Sequence, residues 1–129
     1  MGEVNNPEPG EPIQALKWIG PYLGRRFEEI GGCKTLQDVL DRLGKHTKKS
    51  NTKWLKNILT NERPGECVGD VSKGQEYGRD HRYSVREVNW YGYNSVLTYA
   101  RGRMSRGQYR LLPSRLAGRK AGVAFPDRC

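Results

Sequence analysis

The side chains in this chain best equipped for chemistry are its cations. Arg25 and Arg26 follow the turn Ile19-Gly20-Pro21, and Lys48, Lys49 and Lys53 crowd a short polar stretch. Arg101, Arg103, Arg106 and Arg110 recur toward the C-terminus. Guanidinium and ammonium groups at this density bind phosphate or carboxylate. Arginine also stacks on aromatic rings, so an acidic protein face suits these residues as well as nucleic acid does.

Nucleophilic and metal chemistry have less to work with. Cys33, Cys67, Cys129, His46 and His81 lack the spacing of a zinc site. Asp80-His81 and Cys67 are the types of a nucleophile and its base, but no motif frames them. The expectation is therefore a chain with no catalytic residue, no metal, no cofactor and no small-molecule substrate.

Bulk properties agree with a binding role. The chain has 129 residues, 23 Lys+Arg against 14 Asp+Glu, and a formal net charge of +9. Hydrophobic residues make up 35%, so a core is expected for only part of the chain. Three cysteines, none at C-x-x-C spacing, suggest a reducing compartment, with a Cys33–Cys67 bridge left open. No apolar stretch has the length of a membrane span, and no signal peptide is visible. Neither end matches a lipidation motif, because Asn6 stands where myristoylation needs Ser or Thr and Cys129 is last rather than fourth from last.

The elements that would position the cations follow from periodicity. Residues 1–12 are acidic and proline-rich and read as an extended arm. Ile13, Leu16 and Trp18/Ile19 start a short helix that Gly20-Pro21 breaks. Leu23, Phe27 and Ile30 mark a second helix, stopped by Gly31-Gly32. Thr35 caps a third, with Leu36, Val39, Leu40 and Leu43 as its apolar stripe and Gly44 as its end. Residues 45–53 read as a solvated basic loop, and a helix over about 52–61 buries Trp54, Leu55, Ile58 and Leu59. Together, residues 13–63 make a helical domain.

The second half is harder to read. Residues 64–100 predict a loop-rich segment with one helix. Tyr83, Val85, Val88 and Tyr91 mix both periods, so strand or turn is expected to about residue 88, then a helix capped by Asn94 or Ser95. Residues 101–129 hold eight cations against Asp127 alone, a net +7, and read as a basic tail. Aromatics interleave with the arginines at Tyr83, Trp90, Tyr91, Tyr93, Tyr99 and Tyr109. Stacking on single strands would use such residues, and so would core packing or an interface.

Ile19-Gly20-Pro21, with Leu23 and Phe27 behind it and Thr35-Leu36 opening the next helix, resembles the helix-hairpin-helix family over residues 13–43. The resemblance implies binding of duplex DNA through backbone contacts to phosphate, without reading sequence. Gly20, Tyr22, Arg25 and Arg26 would carry it. The family usually has a second glycine two residues before Gly20, and this chain has Trp18 there. That ring either blocks the approach of phosphate or anchors a protein contact.

Residues 54–68, with Tyr83-Ser84-Val85-Arg86-Glu87-Val88-Asn89 and Tyr91-Gly92-Tyr93-Asn94, resemble small structural proteins of large icosahedral DNA viruses. This second resemblance implies a minor capsid protein whose hairpin and arms cement neighbouring subunits in a virion. Trp18, Trp54 and Trp90 would be its interface anchors. The fold expected is mainly α, a small helix-hairpin-helix domain with an extended N-terminal arm and a basic C-terminal tail. The two functions expected are capsid cement and sequence-independent duplex-DNA binding.

Overall fold

A computed structural model describes residues 6–60, 67–68 and 83–116 of the chain, with backbone only for 67–68 and 83–84. The architecture is mainly helical. A 3₁₀ turn at Ile13–Ala15 precedes α1 (Pro21–Glu29), α2 (Leu36–Lys45) and α3 (Lys48–Leu59). Two-residue strands β1 (Cys67–Val68) and β2 (Tyr83–Ser84) pair antiparallel, with Cys67 opposite Ser84. They lead into α4 (Val85–Arg103) and a 3₁₀ segment at Arg106–Leu111.

The elbow is built as its residues dictate. Gly20 is the N-cap of α1 and Pro21 its first residue, where the missing N–H has no bond to lose. Leu23 and Phe27 are fully buried, each worth about 1.5–3 kcal/mol of burial. Gly32, at φ +69°, ends the helix with two bonds: its amide donates to Glu28 (3.2 Å) and that of Cys33 to Phe27 (3.0 Å). The Gly32–Glu28 bond is that of an αL stop, and glycine is the residue that takes the left-handed position cheaply. Ile30 lies outside the expected stripe and is 45% exposed, because the helix has already ended. The helix expected before the elbow is only the 3₁₀ turn, and Trp18 then takes φ +73°.

Part of the acidic arm belongs to this body. The amides of Leu36 and Gln37, in the first turn of α2, donate to the carbonyls of Glu11 (3.0 Å) and Pro9 (2.7 Å). Those are donors a helix leaves without partners, and here the arm supplies them. Thr35 adds the predicted cap. Its hydroxyl accepts from the Asp38 amide, and the Asp38 carboxylate accepts from Thr35 and Lys34. Those two backbone donors hold the Asp38 carboxyl below its ordinary pKa. Tyr99 and Arg103 of α4 grip the arm from the other side, at the Pro7 carbonyl (2.7 and 3.0 Å).

Two expectations fail at α3 and α4 for the same reason: polar residues occupy buried positions. Lys48 to Asn51 are the first turn of α3, capped by Thr47, not a loop. The buried residue of that turn is Asn51, which periodicity does not count as apolar. In α4, a helix of 19 residues, the buried stripe runs Val85, Val88, Asn89, Gly92, Tyr93, Val96, Leu97, Tyr99 and Ala100. Asn89 and Gly92 hide it, and the half-exposed Trp90 and Tyr91 counterfeit a strand. Asn94 and Ser95 are therefore mid-helix, not caps.

Gly92 has a steric purpose. A Cβ there would lie 2.9 Å from Leu23 Cδ1 and 3.2 Å from Ile19 Cδ1. The close approach that the elbow invites is made by α4. Residues 101–116 are also not a free tail: Arg101 and Arg103 end α4, and Leu112 is buried. The expectations for residues 1–5, 61–66, 69–82 and 117–129, including Asp80-His81 and the far end of the tail, lie outside the described residues.

Candidate nucleic-acid interface

The helix α3 carries Lys48, Lys49, Lys53 and Lys56, and no acid. All four are exposed. Steps of four and three put Lys49, Lys53 and Lys56 on one stripe of about 10 Å, opposite the buried Asn51, Leu55 and Ile58. Residues 101–116 add Arg101, Arg103, Arg106, Arg110 and Arg115, again with no acid. These two acid-free regions are packed together. The Asn51 amide donates to the carbonyls of Leu43 (3.0 Å), His46 (3.2 Å) and Leu111 (2.9 Å), tying α2, α3 and the Arg106–Leu111 segment at one buried point.

Where the two regions meet, Lys48, Arg101 and Arg115 line a polar pocket of about 130 Å³ with Ser114 and Tyr109. Arg101 is held there. Its guanidinium carbon lies 4.8 Å from the Tyr109 ring centroid, and the Tyr109 hydroxyl donates to its carbonyl (3.1 Å). Arg106 and Arg110 are exposed on the same segment.

The remaining predicted residues fall elsewhere. Gly20 is buried beneath the surface that a phosphate would have to reach, and Tyr22 packs half-buried on the core. Arg26 faces inward: its Nε donates to the Ile58 carbonyl (2.7 Å) and its NH2 to Asn57 (3.1 Å), capping the end of α3. Arg25 is exposed but sits within one turn of Glu28 and Glu29. Arg103 is committed to the arm, 3.7 Å from Glu8. Trp54 is a core residue, 9% exposed, edge-on to Phe27 with its indole donating to Gly31 (3.3 Å). As an interface anchor it offers no face, because Phe27 of α1 and the Arg42 guanidinium of α2 cover it. Trp18 and Trp90, by contrast, are brought together at a cleft beside Tyr91.

Cys33 is a free, buried thiol, which closes the question of a bridge to Cys67. Burial, with Asp38 and Asp41 nearby and Arg42 opposing, pushes its pKa up to about 11, so it stays protonated and unreactive. No group of His, Cys, Asp or Glu among the described residues is arranged to hold a metal ion. No helix among them is long and apolar enough to cross a membrane. The placement of Arg26 and Arg103 had no signal in the sequence, since their partners lie far along the chain.

No family model, curated protein or solved structure matches this chain.

Proposed function

We propose that this chain is a non-enzymatic nucleic-acid-binding protein that holds duplex DNA by its phosphates, without reading sequence. One observation carries the reading: α3 and residues 101–116 pack together with nine cations and no acid between them, four lysines plus five arginines. Like charges at helical spacing oppose folding by about 0.2–0.5 kcal/mol a pair, and a polyanion relieves that repulsion. In this reading the phosphate contacts come from the lysine stripe, Arg101, Arg106, Arg110 and Arg115. The hairpin is architectural, since Gly20 is buried and α4 covers the elbow at Gly92.

The test is a duplex-DNA titration across salt concentrations. Binding should weaken steeply, with a log–log slope of about -0.9 for each phosphate neutralised. The variant K49Q/K53Q/K56Q should flatten that slope by about 2.7. No binding at low salt, or an unchanged slope in the variant, would end the proposal.

A second reading, the cement protein of a virion, is favoured by the uneven charge. Exposed acids Glu8, Glu11, Glu28, Glu29 and Asp41 lie in the first 45 residues, and none lies on α3 or residues 101–116. Complementary faces of this kind support head-to-tail contact with copies or with acidic capsid subunits. Sedimentation at low salt separates the two readings: self-association without DNA binding supports the cement.

A further inference from the structure

The cleft beside Trp18 adjoins the basic pocket, sharing Arg115 with it, but is differently built. It measures about 380 Å³, within the range of small-ligand sites. Trp18, Trp90 and Tyr91 supply aromatic walls, and Lys17 and Arg115 supply charge, with no acid among the described lining residues. The rings are fixed in place. Trp18 stacks on Tyr91 at 4.3 Å between centroids and 13° between planes, and Trp90 meets Tyr91 edge-on at 5.0 Å.

Trp18 is held there against its backbone preference. A φ of +73° is unfavourable for a residue with a bulky side chain. Such strain concentrates where a side chain must be presented at a set angle. The floor is also tied down: Ser95 donates to the Lys17 carbonyl (2.7 Å), fixing the loop that carries Trp18 to α4. Asn94 accepts from the Leu116 amide (3.0 Å), and Arg115 donates to the Thr98 hydroxyl. The chain that brings Arg115 to the cleft is thereby anchored on α4.

We propose that this cleft is a nucleotide site. A nucleobase stacks among Trp18, Trp90 and Tyr91, and its phosphate meets Arg115 and Lys17. Planar aromatic walls beside two cations suit a planar ligand that bears an anion. Arg115 also lines the pocket with Arg101 and Lys48, so a strand leaving the cleft would pass its next phosphate to the basic face. The inference extends the nucleic-acid reading, but it stands on the cleft's own residues.

Two of the three tryptophans line the cleft, so intrinsic fluorescence reports on it, and the buried Trp54 is a fixed background. The experiment titrates AMP, adenosine, inorganic phosphate and single-stranded (dA)8 at low salt. Wild type, Trp90→Leu, Arg115→Gln and K49Q/K53Q/K56Q are compared, with duplex binding measured in parallel. AMP should quench. Trp90→Leu should weaken AMP and adenosine alike, by roughly tenfold or more. Arg115→Gln, an exposed position, should weaken AMP roughly tenfold and leave adenosine unchanged.

Quenching by AMP identifies a free-nucleotide site, and quenching by (dA)8 alone identifies an unpaired base within a strand; either supports the cleft if both variants weaken it. Binding of (dA)8 that survives Trp90→Leu and Arg115→Gln but is lost in the lysine variant overturns it. So does quenching by phosphate equal to that by AMP, or no quenching at all. Duplex binding that persists in Trp90→Leu would show that the basic face works whether or not the cleft does.

Discussion

Two regions of this molecule use charge in opposite ways. In residues 6–45 and at Arg103, several charged side chains serve the fold. Asp38 closes a capping box, Arg26 closes α3, and Arg103 with Glu8 fastens the arm. On α3 and at Arg106 and Arg110, the cations are exposed with no ion pair among the described residues. The difference teaches how to sort basic residues. A cation with a carbonyl or carboxylate in reach stabilises its own chain, and one among like charges awaits a partner.

The largest effect should come from the joint between the regions. Asn51→Asp replaces a buried amide donor by a carboxylate facing three carbonyls. Urea denaturation should show a loss of about 3 kcal/mol or more. A mild effect would mean that the two regions are not joined there.

Next is the contrast between neighbours. Arg26→Gln should cost about 1–2 kcal/mol by the same measurement, since it leaves the end of α3 uncapped. Arg25→Gln, exposed, should stay within about 0.5 kcal/mol. Equal effects would break the sorting rule.

Alkali should act on the arm. Burial chiefly raises the Tyr99 pKa, with Glu8 and Glu11 adding and Arg103 opposing. A raised folded pKa means stability that is whole below the unfolded value of about 10 and is lost as pH rises beyond it. Arm docking should therefore loosen above about pH 10, and Tyr99→Phe should flatten that limb of the stability profile. An unchanged profile in Tyr99→Phe would mean that the hydroxyl does not hold the arm.

The smallest effect on stability belongs to the lysines. K49Q/K53Q/K56Q should be neutral or stabilised by a few tenths of a kcal/mol for each of the two repulsions relieved, Lys49–Lys53 and Lys53–Lys56. A clear loss would show that these lysines serve the fold after all.

Local signals were legible in the sequence. Gly20-Pro21, the glycine stop and Thr35 as a cap each depend on residues within one turn. The α3 start and α4 were obscured, because Asn51, Asn89 and Gly92 hold buried positions that a hydrophobic pattern leaves blank. The docking of the arm left no trace, since the groups it offers to α2 are backbone carbonyls. The surplus of cations was plain from composition. Which of them would be exposed together was not, because that depends on how α3 packs against residues 101–116.

The most direct test compares two charge-matched doubles in the salt titration with duplex DNA. K49Q/K53Q removes two lysines from the acid-free face, and R25Q/K34Q removes two exposed cations from the other region. The account predicts that the first double flattens the log–log slope by about 1.8 and the second leaves it near the wild-type value. Equal slopes for the two doubles would mean that net charge alone draws the DNA, and that the α3 face is not the site.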